Sequence, residues 1–212
     1  MNKPESDNIF FHINRTVPWY EMNKWNIGDV IETSDNHNPF FRFFKTHSKT
    51  YALTTPDNTV VQIPGKQFLV DVRDGKINCP NVAQVAVDLT AHFVNYVREL
   101  IWEDIRKNEF PHLPSRQRCL WLINDKQGVK YWLDRFGLDI NDFQITKVKV
   151  DGKLHISSDE HLLIDSEPMD TTILKARAYW NGQISNPTSV EVLFEGKLQV
   201  IEIIDPIKFL YV

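Results

Sequence analysis

The stretch that decides the fold is Ser189-Val190-Glu191-Val192-Leu193-Phe194-Glu195-Gly196-Lys197-Leu198-Gln199-Val200-Ile201-Glu202. In its first half apolar residues alternate with polar ones, and a second apolar run begins after the glycine. Alternation with a period of two is typical of a β-strand, and a glycine between two such runs is typical of a hairpin. We therefore predict a β-hairpin that turns at Gly196. Glu191 is on its first strand, where a single carboxylate is ordinarily the solvent-facing residue of the pattern.

Length and composition indicate a globular chain with room for one large domain or two small ones. The 212 residues are 42% hydrophobic and 25% charged, as in domains that bury a core of their own. No linker or repeat divides the chain, so we predict a flexible N-terminus at residues 1–8 and a single domain at 9–212. The net charge of -4 argues against a protein that coats nucleic acid through bulk charge, but not against an enzyme with a local binding patch.

The cysteines and the N-terminus bear on cellular location. Cys79 and Cys119 are far apart and lack paired spacing, which is typical of buried thiols in a reducing compartment rather than a disulfide or metal site. The first residues contain no apolar region of a signal peptide, and no apolar run reaches membrane-spanning length. We expect a cytoplasmic protein.

Apolar spacing and turn residues predict a β-rich α+β domain with one long and one short helix. Residues 81–107 repeat apolar positions at three and four spacing, as an amphipathic helix does. Residues 126–136 follow a capping Asp125 and precede Gly137, a common helix end. Residues 33–50 are loop-like, with four phenylalanines around Arg42 that we expect in the core or a pocket wall. Strands are predicted at 9–13, 51–54, 60–63, 68–72, 115–123, 144–150 and 175–180. A further strand is predicted to begin after a turn at Gly28.

Several catalytic classes lack their motif. None of the seven histidines is paired at i,i+4 or lies in a His-rich tract, so we expect no metal site. The eight glycines give neither GxGxxG nor GxxxxGK spacing, which argues against a Rossmann or P-loop nucleotide site. A Ser-His-Asp hydrolase would need a GxSxG elbow, which the sequence does not contain.

Three features remain that could carry chemistry. His12 lies on the first predicted strand, where a histidine is more often a satisfied core residue. Trp121 and Trp132, with ten residues between them, lie near the end of a strand and on the helix after it. Such a pair can hold a flat ring across a cleft, although two core tryptophans give the same pattern. Glu191 on the late strand is the third feature.

The order and spacing of these features resemble the ADP-ribosyltransferase superfamily, in particular its diphtheria-toxin-like and poly-ADP-ribose-polymerase-like branch. That branch has a His on its first strand, two Tyr on a strand and helix with ten residues between them, and a Glu that opens a late strand. Phe10-Phe11-His12 and residues 27–31 also resemble small bacterial relatives that modify rifamycins. Residues 38–42 and 110–116 are similar to an uncharacterised bacterial family placed in the superfamily. The resemblance covers nearly the whole chain.

The resemblance implies a fold, a substrate and roles for these residues. It implies two packed β-sheets that form an NAD cleft, with NAD as the substrate. Trp121 and Trp132 would stack on the nicotinamide, and His12 would bind the adenosine-side ribose. Glu191 would hold the other ribose and stabilise a cationic transition state. Arg116 or Arg118 would bind the NAD pyrophosphate or the acceptor, with Arg42 as a weaker alternative.

Two departures from the family pattern affect these expectations. Tryptophans replace both tyrosines, so stacking is kept and the hydroxyl groups are lost. Ser189 stands two residues before Glu191, where members that modify arginine carry Glu or Gln, which argues against an arginine acceptor.

The resemblance leads us to expect an NAD-dependent ADP-ribosyltransferase that acts as a bacterial toxin or phage-defence effector. Its acceptor would be a cytosolic macromolecule, with nucleic acid favoured over protein, and an antitoxin protein would restrain it. Two alternatives remain open. One is a non-catalytic NAD-binding or interaction module of the same fold, and the other is an NAD glycohydrolase that transfers to water.

Overall fold

Two long antiparallel strands, β6 (Phe143–Ser158) and β7 (Val190–Ile204), form the centre of the protein. The computed structural model describes residues 8–16, 23–137 and 139–211. The predicted flexible segment 1–8 lies outside these residues, apart from Asn8. β6 and β7 pair from Ile145–Ile204 at one end to Ser158–Val190 at the other, so Glu191 lies near the start of the longest pairing in the sheet.

β7 is one continuous strand, so the predicted hairpin at Gly196 is wrong. Gly196 faces Gly152 of β6 in the strand register. A Cβ atom added at Gly152 would lie 2.3 Å from the Glu195 carbonyl oxygen, and one added at Gly196 would lie 2.4 Å from that of Asp151. The two backbones approach so closely that neither position has room for a side chain. A glycine inside a strand pattern therefore marks this close approach rather than a turn.

The other strands surround this pair in an antiparallel five-stranded sheet. The sheet has the order β1-β6-β7-β2, and β5 also pairs with β7. Phe11 of β1 exchanges two backbone hydrogen bonds with Ile123, just after β5, at 2.8 and 2.9 Å. The sheet thus curls back so that its first strand reaches β5. The shorter strands are β1 (Ile9–Arg15), β2 (Val30–Glu32) and β5 (Leu120–Leu122), and a separate two-stranded sheet contains β3 (Thr50–Thr54) and β4 (Val60–Pro64).

Six helices complete the described part of the chain. The predicted long and short helices are confirmed as α3 and α4, and α4 is capped by Asp125 and ends at Gly137, which has φ 58°. In chain order the helices are α1 (Pro39–Thr46), α2 (Gly65–Arg73), α3 (Val82–Glu109), α4 (Lys126–Phe136), α5 (Met169–Trp180) and α6 (Pro206–Tyr211).

Three segments have a different structure from the one predicted. Residues 68–72 and 175–180, predicted as strands, belong to helices α2 and α5. The buried residues of α5 are Thr172, Ala176, Tyr179 and Trp180, which have helical spacing. The predicted loop 33–50 contains helix α1. Asn38 caps this helix by accepting a hydrogen bond from the Phe41 amide at 2.9 Å, and Pro39 follows at the first helical position.

Helix α3 buries Leu89, Trp102 and Ile105 but also three charged residues, and part of the apolar stripe that its spacing suggests is exposed. Its buried residues include Glu99, Glu103 and Arg106, whereas Phe93 is 50% and Val97 is 43% exposed. Buried charges need partners. Arg106 forms two hydrogen bonds with Glu103, at 3.0 and 2.8 Å.

The architecture confirms the α+β class: a single domain with two antiparallel sheets and several helices. A core cluster that includes Phe10, Leu122, Val192 and Phe194 fills the space inside the curled sheet. Within the described residues, no helix combines the length and the apolar character needed to cross a membrane.

Candidate active-site cleft

One cleft of about 440 Å³ brings together most of the residues singled out in the sequence. Its walls include His12, Arg116, Trp121, Trp132 and Glu191. These residues come from the first strand, the loop before β5, strand β5, helix α4 and the start of β7. The volume lies within the range of small-molecule sites in proteins.

His12 lines this cleft, stacks on Trp25 with ring centroids 4.6 Å apart, and has one buried ring nitrogen without a partner among the described residues. Its Nδ1 lies 2.8 Å from the Trp121 carbonyl oxygen, which can only accept, so Nδ1 carries the proton. Nε2 is buried and has no hydrogen-bond partner among the described residues. Burial lowers the pKa of His12 to about 4, against the opposing effect of its bond to Trp121. The ring is therefore neutral at physiological pH, and Nε2 can accept a hydrogen bond from a ligand hydroxyl group.

The two tryptophans line the same cleft but differ in burial. Trp132 is 9% exposed, and its Nε1 donates to the Val190 carbonyl oxygen at 3.0 Å. Trp121 is half-buried and meets Phe40 edge-on, with ring centroids 5.9 Å apart. Each tryptophan is thus hydrogen-bonded to another part of the site. The Trp121 carbonyl oxygen accepts from His12, and the Trp132 indole donates to the residue before Glu191.

Glu191 is a buried carboxylate, not the solvent-facing residue of an alternating strand. Its exposure is 3%, and strand alternation places it on the same face as Leu193, which packs with Tyr179 in the core. Glu191 Oε1 accepts hydrogen bonds from Arg116 Nη1 and from the Tyr179 hydroxyl group. Oε2 makes no hydrogen bond within the described residues, so it is the oxygen that a ligand in the cleft could reach.

Arg116 links Glu191 to a second buried carboxylate, Glu99 of α3. Its guanidinium donates to Glu99 at 3.1 and 3.2 Å and to the Tyr179 oxygen at 2.7 Å. Burial alone would lower the pKa of Arg116, but Glu191 and Glu99 outweigh it and hold that pKa above its ordinary value. Arg116 therefore stays charged and holds one oxygen of Glu191 in place.

Tyr179 completes this network from helix α5. Its pKa is raised well above the ordinary value, first by burial and also by the neighbouring Glu191, against the opposing effect of Arg116. The hydroxyl group therefore remains protonated and donates to Glu191. Tyr179 has no exposed surface, so this donor is fixed rather than mobile.

The other arginines named from the sequence lie outside the cleft. Arg118 pairs with Asp35 at 3.1 Å and with Glu195 at 3.4 Å, in a separate polar pocket beside the two facing glycines of β6 and β7. Arg42 is exposed on α1 and does not line the cleft. Ser189 is buried, and its hydroxyl group lies 2.9 Å from that of Ser158.

Sequence reasoning missed several residues of the site. Arg15, Arg98 and Arg135 line the cleft, and Arg135 pairs with Asp159 at 3.1 Å. Burial raises the pKa of Asp159, and the negative charge of Glu191 adds to the effect. Glu99 was hidden in a helix with an apolar repeat, and Asp159 in a short acidic turn, so neither had a spacing signal.

The site suits an organic ligand with hydroxyl and phosphate groups. It combines aromatic rings, a neutral hydrogen-bond acceptor, a fixed carboxylate and several guanidinium groups. Among the described residues no group of three or more His, Cys, Asp and Glu side chains could hold a metal ion.

Comparison with known proteins gives one family and no curated relative. Residues 10–206 match the family described as "Protein of unknown function (DUF2441)", which is most of the chain. No curated protein matches the sequence.

Proposed function

We propose that this chain, which belongs to the DUF2441 family, is an NAD-dependent ADP-ribosyltransferase whose active site is the cleft around Glu191. The observation that carries the proposal is the meeting of His12, Trp121, Trp132 and Glu191 in one cleft. These four residues come from three separate parts of the sequence, and the resemblance to ADP-ribosyltransferases selects them by order and spacing alone.

The binding half of the proposal rests on His12 and the tryptophans. A buried acceptor without a partner is costly unless a ligand satisfies it, and Nε2 of His12 is such an atom. A ribose hydroxyl group of NAD would supply the missing hydrogen. Trp121 and Trp132 would stack against the nicotinamide ring, each contact contributing about 0.5–1.5 kcal/mol beyond area burial.

The catalytic half rests on Glu191. Cleavage of the bond between nicotinamide and ribose develops positive charge on the ribose, and a fixed negative group beside it lowers the barrier. Arg116 and Tyr179 hold Glu191 Oε1, which leaves Oε2 for the ribose hydroxyl and the growing cation. Because the carboxylate is already oriented, little reorganisation is needed as the charge develops.

The pyrophosphate is better matched by Arg15 and Arg135 than by the arginines proposed from the sequence. Arg116 is only 3% exposed and holds Glu191 in place, which makes it a positioning residue. Arg118 lies outside the cleft. Arg15 is on the same strand as His12, Arg135 is 43% exposed, and both line the cleft. A guanidinium at the cleft wall suits phosphate oxygens.

The biological role that we propose is a toxin or phage-defence effector that acts in the cytoplasm, restrained by an antitoxin protein. Its acceptor would be a nucleic acid or a protein. Two neighbouring functions use the same cleft: an NAD glycohydrolase would transfer to water, and a non-catalytic module would bind NAD without breaking it.

The test is incubation with NAD labelled in its adenylate part and a bacterial lysate, followed by nuclease or protease treatment. A transferase gives macromolecular label that one of the two treatments removes. A glycohydrolase gives free ADP-ribose only, and a binding module leaves NAD intact. Absence of macromolecular label with active, folded protein would contradict the transferase proposal.

A further inference from the structure

An aromatic surface leads outward from the cleft across helices α1 and α3. We define it by Phe40, Phe43, Phe44, His47, His92 and Phe93. Phe40 contacts Trp121 of the cleft at 5.9 Å and Phe44 at 5.2 Å, and Phe44 continues to His92 at 5.3 Å. His92 contacts both Phe93, at 5.3 Å, and Phe43, at 6.0 Å. The rings therefore form an unbroken path from the indole of Trp121 to the protein exterior.

The outer rings of this path are exposed. Phe43 is 46% and Phe93 is 50% exposed, on two different helices. Phe43 also stacks on His47 with an interplanar angle of 16°. Half-exposed phenylalanines that adjoin one another commonly mark a binding surface.

The charge around this surface differs in sign from that of the whole chain. Helix α1 and the turn after it carry Arg42, Lys45 and Lys49 and no acidic residue, and Asp88 lies one turn before His92 on α3. Asp88 is itself paired with Lys49 at 2.6 Å. The chain as a whole carries a net charge of -4, so the basic excess is local and favours an anionic partner.

We propose that the aromatic surface binds single-stranded nucleic acid and delivers it to the cleft as the acceptor. Exposed rings bordered by basic side chains are what single-strand binding requires, because bases stack on the rings and phosphates meet the cations. A duplex keeps its bases stacked inside, so they cannot stack on the exposed rings. Contact between Phe40 and Trp121 places the inner end of the path at the cleft. Only the acceptor role rests on the proposed transferase, since binding needs neither NAD nor catalysis.

The test is fluorescence anisotropy with labelled oligothymidylate and oligouridylate of about 12 nucleotides, measured without NAD. We expect both to bind, and a duplex of the same length to bind more weakly. Phe43→Ala combined with Phe93→Ala is expected to weaken single-strand binding about 5- to 100-fold. Lys45→Glu, an exposed change that keeps every ring, is expected to lower affinity and to flatten its dependence on salt between about 50 and about 200 mM.

Matched controls change similar residues on other surfaces. Leu174→Ala removes a 62% exposed apolar side chain of α5, and Lys153→Glu reverses a charge on β6. Both are expected to bind as the unaltered protein does. Equal binding of duplex and single strand, or unchanged binding by both the phenylalanine and the Lys45 variants, would overturn the proposal.

Two further outcomes distinguish nucleic-acid binding by this surface from the proposed transferase activity and from self-association. Oligonucleotide binding that is lost in the surface variants, with no transfer from NAD, supports the surface and contradicts the transferase. Absence of oligonucleotide binding, together with self-association that Phe43→Ala and Phe93→Ala abolish, would instead make this face an interface between copies of the chain and overturn the proposal.

Discussion

Replacing Arg116 by methionine would measure how much the network that holds Glu191 contributes to the unfolding free energy. Arg116 and Glu191 are each 3% exposed, and Glu99 is 1% exposed. The variant leaves both carboxylates buried without the guanidinium between them. Removal of one partner from a buried ion pair costs about 3–5 kcal/mol of unfolding free energy, which is a large part of the stability of a single domain.

The pH dependence of this loss has a definite sign. Burial alone would raise the pKa of Glu99, but Arg116 and Arg98 outweigh it and hold that pKa below its ordinary value. Glu99 therefore stabilises the unaltered protein above its unfolded pKa of about 4.5, and this stability is lost as the pH falls. In the variant a buried carboxylate can recover by taking up a proton, so the loss should be larger at pH about 7.5 than at pH about 5.

The assay is urea unfolding followed by tryptophan fluorescence at both pH values. Arg177→Met is the matched control, because Arg177 makes a three-contact pair with Glu109 on the surface, where such pairs contribute little. Adding Glu99→Gln to Arg116→Met should restore part of the stability at pH about 7.5, since one of the two uncompensated charges is then gone. The reasoning is refuted if Arg116→Met costs no more than Arg177→Met, or if its cost does not depend on pH.

Three further predictions concern single side chains of the cleft. Tyr179→Phe removes one donor to Glu191 and should lower the unfolding free energy by about 1.5–3 kcal/mol. In this variant the rate of nicotinamide release should fall by a larger factor than the affinity for NAD. Equal effects on rate and affinity would argue against a positioning role for Tyr179. His12→Gln should remove a pH dependence of stability. Because burial depresses the pKa of His12 to about 4, its contribution is present above pH about 6.5 and is lost as the pH falls towards 4, by about 3 kcal/mol in all. Urea unfolding across this range checks it, with the exposed His112→Gln as baseline, and parallel curves for both variants would contradict it. Trp121→Ala should weaken NAD binding in calorimetry about 2- to 10-fold, whereas Trp121→Tyr, which keeps an aromatic ring, should bind as tightly as the unaltered protein. Equal affinities for the alanine and tyrosine variants would show that the ring is not a stacking surface.

The sequence predicted those strands and helices that have a local signal, such as a capping residue or an alternation of apolar residues. Helix α4 was found because Asp125 and Gly137 carry the capping signals at its two ends. The late strand was found because its apolar residues alternate, but its length was not. Gly196 resembles a turn residue in the sequence, and only the facing Gly152 shows that two backbones meet there.

The errors in the helices have a similar cause. Local apolar runs at 68–72 and 175–180 do not distinguish a strand from part of a helix, because short segments fit both periods. In α3 the apolar repeat was correctly assigned to a helix, yet the face it buries holds Glu99, Glu103 and Arg106. Glu103 and Arg106 pair with each other on the helix, whereas Glu99 is paired with Arg116 from a distant segment, which no local pattern encodes.

Of the candidate site, the sequence indicated His12, the tryptophan pair and Glu191 through their order and spacing, and these four residues line one cleft. Tyr179 and Asp159 carried no such signal, since a tyrosine at the end of a helix and an aspartate in a turn are common on any chain. Arg118 was selected with Arg116 because both lie on or just before the strand of Trp121, but the two side chains line different pockets.

Release of free nicotinamide from NAD by the purified protein tests the central proposal most directly, with Glu191→Gln compared against Glu202→Gln. Glu202 is an exposed glutamate of the same strand and serves as the control. We expect Glu191→Gln to lower the rate about 10²–10³-fold while it still binds NAD in calorimetry, and Glu202→Gln to match the unaltered protein. Nicotinamide release at the same rate by Glu191→Gln, or no NAD binding by the unaltered protein, would contradict the proposal.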